Sequence, residues 1–483
     1  MAYKGFYLNK KTWTIMKNHV NITMNYKGGG IMPYAIDLFC GAGGCSEGLI
    51  QAGFHILFSS DISEMAELTY RHRHEQLGLI QGVNTWFERA DIKNLKGEFI
   101  HEKIAGLEIF RNQEVPEIDL MMGGPSCQGF SRAGQRKKND PRNLLFGEYV
   151  RVINEIKPKY ILLENVEGFM DMQFTDYKGL DLYDNDGNLL EEGPQYKDGS
   201  VTPDILTNEL HRIGYNTLPP RILNAADYGV PQRRNRVIFI GYRNDMVAPV
   251  YPEPIMRAEQ QLRLVDSIGD LINDKNIRRR VNPRLSDYQK ESRAGRTPHF
   301  ISGEPIPCDR RRLKNLELPK SNKVVEQRFS LFNEGESGSM LRKRIKENGI
   351  DLTNLNDLIQ LCCEKLNIEE NEVITLFRDG NVSDDILDIL LTKKNVRQRW
   401  KSDEPSATVV TIPDDYISPW ENRTFSVREM ARCQSFDDSF EFLGKRTTGG
   451  LKRRVEIPQC TQVGNAVPPL LARAVALEII RVL

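Results

Sequence analysis

Three stretches of this 483-residue chain carry side chains suited to covalent chemistry. Cys127 stands in the run Gly123-Gly124-Pro125-Ser126-Cys127-Gln128-Gly129-Phe130-Ser131, directly after the apolar stretch Ile118 to Met122. A thiolate is a strong nucleophile, and a Gly/Pro/Ser-rich loop at the end of a buried strand presents it to a substrate. A thiol that merely fills a core belongs inside a strand or helix, not in such a loop. Glu164 ends the run Tyr160-Ile161-Leu162-Leu163-Glu164-Asn165-Val166. Burial there raises a carboxyl pKa and keeps a proton available near neutral pH, although an acid at a helix N-terminus can also be chemically idle. The third stretch is Gln232-Arg233-Arg234-Asn235-Arg236, leading into the apolar run Val237 to Ile240. Strand alternation sends Arg234 and Arg236 to one face and Arg233 to the other, unless these charges only cap a strand end.

A fourth stretch points to a bound nucleoside. Asp37-Leu38-Phe39-Cys40-Gly41-Ala42-Gly43-Gly44 lies where a first strand hands over to a first helix, and glycines there let backbone N–H groups approach a ligand. Asp61 follows at the end of the second strand and Asp91-Ile92 where a third should end. An acid after the second strand typically holds ribose hydroxyls, and the next such position can reach an adenine edge. At this point a nicotinamide dinucleotide fits the glycine turn equally well.

These residues need a sheet that aligns strand ends, and the pattern supplies one. Short apolar runs at Ala35 to Phe39, His55 to Ser59, Ile118 to Met122, Tyr160 to Leu163 and Val237 to Ile240 read as buried strands. Helix-period stretches lie at Ser46 to Ala52, Ser63 to Arg73, Leu145 to Ile156 and Pro203 to Ile213. The alternation predicts an α/β fold with a mostly parallel sheet covered by helices on both faces, its ligands at the carboxyl ends of the strands. Apolar residues are 40% and charged residues 27%, with no apolar run long enough for a membrane span. Eight cysteines without a CxxC pair or zinc-like spacing read as reduced thiols in a cytosol, and Met1 to Val20 lacks a secretory h-region.

Charge is balanced overall, 66 basic against 66 acidic residues, but unevenly placed. Residues 256–350 hold 21 Lys/Arg against 13 Asp/Glu, a net of +8, with clusters Arg278-Arg279-Arg280, Arg310-Arg311-Arg312 and Arg342-Lys343-Arg344. This is a candidate nucleic-acid footprint. Residues 351–395 swing to ten acidic against four basic residues with helical spacing and read as a packing or partner-docking insertion. Residues 171–200, with eight acidic and two basic residues and the turn Asn185-Asp186-Gly187, read as a solvated hairpin-like insertion.

Taken in order, these motifs closely resemble the DNA (cytosine-5)-methyltransferase family. The resemblance runs from about Ala35 to the C-terminus and includes Asp37 to Gly44, Pro125 to Gln128, Glu164-Asn165-Val166 and Gln232 to Arg236. It continues through Arg399-Trp400 and Pro405-Ser406-Ala407-Thr408, then Val427-Arg428-Glu429 and Arg432-Cys433-Gln434-Ser435-Phe436, and closes on Gln462 to Pro469. Two positions depart from the pattern: Ser126 where the family usually has proline, and Asp61 where glutamate is more common.

The resemblance implies a Rossmann-like S-adenosylmethionine-dependent methyltransferase sheet plus a smaller target-recognition domain carrying a helical insertion. Its boundaries are drawn as a flexible arm 1–33, a catalytic domain 34–245, a recognition domain 246–400 and a return to the catalytic domain over 401–483. Cys127 would add to C6 of a cytosine flipped out of duplex DNA while Glu164 protonates N3. Arg234 would lie against the pyrimidine carbonyl, and Arg236 would help fix the base and the catalytic loop. S-adenosylmethionine, leaving as S-adenosylhomocysteine, would be held by Asp37, Phe39, Gly41, Gly43, Asp61, Ile62, Asp91, Ile92, Pro125, Leu145, Asn465 and Ala466. Gln128, Ser131, Arg278 to Arg280 and Arg310 to Arg312 would touch DNA. No metal and no membrane enter. The expected setting is a monomer on double-stranded DNA in the cytoplasm, at the nucleoid, with a restriction or phage-defence system as its companion. Competing readings are an RNA cytosine-5 methyltransferase, a catalytically silent DNA-binding homologue and, leaving Cys127 and the arginines without linked roles, a nicotinamide oxidoreductase.

Overall fold

The computed structural model describes residues 32–483 except 112, 126–144, 184–187, 309 and 449–455. Strands β1 (Tyr34–Leu38), β2 (His55–Asp61), β3 (Trp86–Arg89), β4 (Leu120–Gly123) and β5 (Tyr160–Asn165) form the parallel part of the central sheet. A two-stranded antiparallel hairpin follows, β6 (Leu182–Tyr183) with β7 (Leu189–Glu191). The central sheet is completed by β8 (Tyr215–Thr217), β9 (Arg221–Asn224) and β10 (Asn235–Arg243). Its order is β3-β2-β1-β4-β5-β10-β8, with β9 also on β10, and β10 runs antiparallel to β5.

Period-two alternation decides which residues face which layer. On β5, Ile161 and Leu163 enter one core, while Tyr160 and Leu162 enter the other. The first core is closed by α3 (Gly97–Ala105), α4 (Leu145–Ile156) and α5 (Thr202–Arg212). Across the sheet lie α1 (Gly44–Ala52) and the C-terminal α16 (Pro469–Ile480), and α2 (Glu64–Gln76) follows β2. The expected sheet, mostly parallel with helices on both faces, is therefore present. The stretch Gln459–Ile480, apolar enough by composition to cross a membrane, is mostly buried inside the fold.

A third core joins α6 (Leu264–Ile268) to Trp400, Phe425 and Met430, so packing continues across the boundary drawn at residue 400. Between them lie α7 (Lys275–Val281) and α8 (Asp287–Ala294). Helices α9 (Lys323–Ser330) and α10 (Gly338–Asn348), with Ile417, share one core with α11 (Asn356–Leu366), α12 (Glu370–Arg378) and α13 (Asp384–Leu391) of the insertion expected at 351–395, so the helical unit starts earlier than those bounds. A short pair, β11 (Gln398–Arg399) with β12 (Tyr416–Ile417), leads to α14 (Val427–Cys433) and α15 (Gln459–Asn465).

Two expectations are corrected. The Arg342-Lys343-Arg344 cluster is not a free basic surface: Arg342 pairs with Asp388 and ties α10 to α13, and Arg344 pairs with Glu336 at 2.8 Å and ties α10 to the turn before it. Residues 171–200 are not solvated throughout, because Met172, Phe174 and Tyr177 are buried and Phe146 stacks on Tyr177 with ring centroids 5.5 Å apart.

Candidate active site

The carboxyl ends of β1, β2, β4 and β5 open onto a cleft of about 480 Å³. Its first wall is the β1–α1 turn, where Phe39 (φ 57°) and Gly43 (φ 96°) take left-handed backbone. A bulky non-glycine residue in that region is unusual and marks a site where geometry is imposed by its surroundings. Gly44 has no space for a side chain, since a Cβ would stand 2.3 Å from the Val467 carbonyl oxygen. The α15–α16 connection thus presses on the turn and brings Asn465 and Ala466 into the cleft.

Asp61 closes β2 with both carboxylate oxygens engaged. Oδ2 accepts the Gly41 N–H at 2.9 Å and Oδ1 accepts the Ser63 N–H at 2.8 Å, which ties the glycine turn to the second strand. Burial pushes its carboxyl pKa upward. Asp37 lies deeper, 1% exposed, and accepts the Ser46 hydroxyl at 2.6 Å. Ser46 in turn shares the Tyr70 hydroxyl at 2.7 Å, and Tyr70 meets Ser59 on β2. Burial, partly offset by the Ser46 hydrogen bond and reinforced by the Asp61 charge, pushes the Asp37 carboxyl up to about 7. Ile62 is 67% exposed at the rim, an apolar surface held out to a ligand. Asp91 stands two residues beyond β3 and caps the next turn by accepting the Lys93 N–H at 3.1 Å.

At the other end of the cleft, Glu164 is buried and its Oε1 lies 2.6 Å from Arg236 Nε. The apolar run around Glu164 signals burial alone; the antiparallel pairing of β10 with β5 supplies the cation. Asn165 Nδ2 donates to the Pro125 carbonyl at 3.1 Å, two residues before Cys127 in the sequence. Tyr149 adds a second tie beneath it, its hydroxyl donating to the Met121 carbonyl at 2.8 Å and the Leu162 carbonyl at 3.1 Å.

Arg234 and Arg236 both line the cleft, with different partners. Arg234 is 2% exposed, and its Nη1 and Nη2 donate to the Val409 carbonyl at 3.1 Å and the Gly464 carbonyl at 2.9 Å. It immediately precedes β10 and binds the return segment to the sheet. Gln232 works beside it, accepting the Val409 N–H at 2.7 Å and donating to Gln434 at 2.8 Å. Arg236 is the guanidinium that faces Glu164.

The cleft therefore gathers Asp37, Phe39, Gly41, Asp61, Ile62, Asp91, Ile92, Pro125, Leu145, Glu164, Arg234, Arg236, Asn465 and Ala466, while Gly43 shapes the turn behind it. Cys127, Gln128 and Ser131 lie outside the described residues. Lys93, Val166 and Gln462 also line the cleft. Gln462 accepts the Thr69 hydroxyl at 2.6 Å and joins the return segment to α2, a long-range contact that no local pattern signals. Among the basic clusters, Arg279 and Arg280 on α7 are exposed, as are Arg311 and Arg312, whereas Arg278 is half-buried and donates to the Ile272 carbonyl at 3.2 Å.

A family model described as C-5 cytosine-specific DNA methylase matches residues 34–481. The chain is 28% identical over 460 residues to the Type II methyltransferase M.DdeI of Desulfomicrobium norvegicum, covering 91% of this chain and 87% of that protein. It is 29% identical over 475 residues to the Type II methyltransferase M.AgeI of Thalassovita gelatinovora, covering 91% and 97%. Among solved structures, a DNA modification methyltransferase encoded within an Escherichia coli prophage aligns with a TM-score of 0.57 at 20% identity, covering 93% of this chain and 99% of that one.

Proposed function

The chain belongs to the C-5 cytosine-specific DNA methylase family and is a DNA (cytosine-5-)-methyltransferase, and we propose that its cleft places a methyl donor against a flipped cytosine. The observation that carries this reading is the convergence, in one cleft, of the Gly41–Asp61 cradle at one end and the Glu164–Arg236 pair at the other. A cleft of about 480 Å³ is the size of a small-molecule site.

The residues fit S-adenosylmethionine. Each Asp61 oxygen accepts one backbone N–H and retains a lone pair for a ribose hydroxyl. Exposed Ile62 offers a face for the purine, Asp91 and the Ile92 backbone offer polar atoms for its edge, and Asn465 lines the same cleft. When bound, the donor supplies a methyl group on a sulfonium.

Cytosine C5 is a poor nucleophile until a group adds at C6. In this reading the Cys127 thiolate forms that bond, and Glu164 holds a proton at N3 so that the ring accepts the electrons. Arg236, beside Glu164, donates to the pyrimidine carbonyl oxygen, a role that passes to it from Arg234 because the latter is committed to the Val409 and Gly464 carbonyls. After methylation, loss of the C5 proton expels the Cys127 thiolate and restores the aromatic ring. The base must leave the duplex, since attack comes from above its plane. Residues 246–400 hold the DNA, with exposed Arg279, Arg280, Arg311 and Arg312 on phosphates. Relatives named Type II methyltransferases support a cognate restriction system as companion; phage defence as its role, and a monomer at work on nucleoid DNA in the cytoplasm, complete the proposal.

Base-resolution sequencing of host DNA after expression tests the reading. It should find 5-methylcytosine within one short sequence, absent with Cys127→Ala, and the purified wild type should trap on duplexes carrying 5-fluorocytosine at that position. Methylation that survives Cys127→Ala, or methylcytosine confined to RNA, overturns it.

A further inference from the structure

A buried polar junction joins the cofactor helix to the segment read as DNA-binding. Glu47 lies on α1, one turn beyond the glycine turn, and its backbone N–H donates to the Gly43 carbonyl at 2.9 Å. Its carboxylate takes Arg73 of α2 in a bidentate grip, 2.8 Å from Nε and 3.1 Å from Nη2. The same carboxylate accepts the hydroxyl of Thr297, and that hydroxyl accepts Gln51 Nε2 at 2.9 Å. Arg73 continues to Ser439 at 3.0 Å, and Asp437 accepts the Arg296 N–H at 2.7 Å. Glu47, Gln51, Arg73, Thr297 and Asp437 are all buried.

The surrounding strap shows that this is where residues 296–306 are seated. The Phe300 N–H donates to the Leu77 carbonyl at 2.7 Å and the Phe300 ring lies 4.6 Å from that of His55 on β2. Gly78 admits His299 so closely that a Cβ would stand 2.9 Å from the imidazole. The Phe300 and Arg296 backbone hydrogen bonds tie the strap to α2 and to Asp437, and the Thr297 hydroxyl, which both donates to Glu47 and accepts from Gln51, is the side chain that sets it against α1.

We propose that Thr297 is a positioning residue for methyl transfer: its hydroxyl, seated between Glu47 and Gln51 of α1, fixes the angle at which the DNA-reading segment stands over the cofactor turn. This rests on the reading of residues 246–400 as the DNA-binding part. Valine is close to threonine in size but lacks the hydroxyl, so Thr297→Val removes both hydrogen bonds to α1 and leaves the strap's backbone and ring contacts, and Thr297→Ser keeps both hydrogen bonds.

Single-turnover methylation of two duplexes tests it, one carrying the mapped site and one with a single base pair of that site changed. Small displacements of a positioned substrate cost up to about a hundredfold in rate, so the preference for the mapped site is expected to fall about tenfold in Thr297→Val and to recover in Thr297→Ser. Partial unfolding lowers both rates by one factor and leaves the ratio alone, so the ratio separates orientation from stability. A wild-type ratio in Thr297→Val, or a serine variant as impaired as the valine one, overturns the proposal. Failure of the wild type to methylate the mapped duplex overturns the functional reading instead.

Discussion

Replacing Asp61 tests the cofactor cradle most directly. The structure commits one acceptor position on each oxygen to the protein, Oδ2 to Gly41 and Oδ1 to Ser63, which leaves one on each for the ribose. Hydrogen bonds to a charged acceptor contribute about 1.5–3 kcal/mol, and Asp61→Ala should lose that much donor affinity, a factor of about ten to a hundred. The Gly41 and Ser63 N–H groups also lose their acceptor, but the cleft admits water, so the cost to stability should sit near the low end, about 1 kcal/mol. Asp61→Glu keeps the charge and matches the residue more common in the family, and it should bind within a few-fold of wild type. Calorimetric titration with S-adenosylhomocysteine at pH 8 measures all three. Burial raises the Asp61 pKa, and a protonated carboxyl accepts fewer bonds, so wild-type affinity should also weaken as pH falls towards the acid range. Affinity unchanged in Asp61→Ala would refute the cradle, and a loss in Asp61→Glu equal to that in Asp61→Ala would show that shape, not the charged acceptor, sets the affinity.

Asp37 carries a pH signature. Its folded pKa is raised from 3.8 to about 7, so its contribution to stability is full below 3.8 and is lost as pH rises through about 7. Asp37→Asn cannot ionise, and its melting temperature should gain on that of wild type between pH 6 and pH 8.5; an identical difference at both pH values would refute the burial argument. The exposed arginines carry a salt signature: neutralising Arg279 with Arg280, or Arg311 with Arg312, should flatten the plot of log affinity for duplex against log salt by about 0.9 for each phosphate that the pair neutralises. Arg342 and Arg344 are stapled to Asp388 and Glu336, so their substitution should lower the melting temperature and leave that slope alone, and Lys393 with Lys394 should change neither much. Wild-type slopes in both exposed-pair variants would remove this segment from the DNA surface.

What can be read in the sequence depends on how far each signal reaches along the chain. The strands β1, β2, β4, β5 and β10 announce themselves because both their faces are buried and their residues form near-continuous apolar runs. The strands β3 and β9 do not: Trp86–Arg89 and Arg221–Asn224 are short, half-exposed and near the sheet's margins, where neither face demands apolar residues. The same division runs through the cleft. Asp61, Glu164 and Arg236 each end or begin an apolar run and Asp37 interrupts one just before the glycine turn, so their place near a strand end is legible, and the sheet then brings them together.

The partners of those groups stay hidden because they come from remote parts of the chain. Alternation assigns Arg234 a face, yet its role is set by the Val409 and Gly464 carbonyls, 175 and 230 residues away. Net charge fails for the same reason at Arg342 and Arg344, since a basic run looks like a nucleic-acid surface until the carboxylates opposite it are known. Thr297 is the extreme case, a single hydroxyl with no motif around it, whose contacts to Glu47 and Gln51 span 250 and 246 residues. Buried polar groups must find partners, and in a fold whose last helix returns to pack on its first, those partners are chosen by topology and not by neighbouring sequence. The cleft's chemistry is thus written locally, but the register that aims one half of the molecule at the other is written only in the fold.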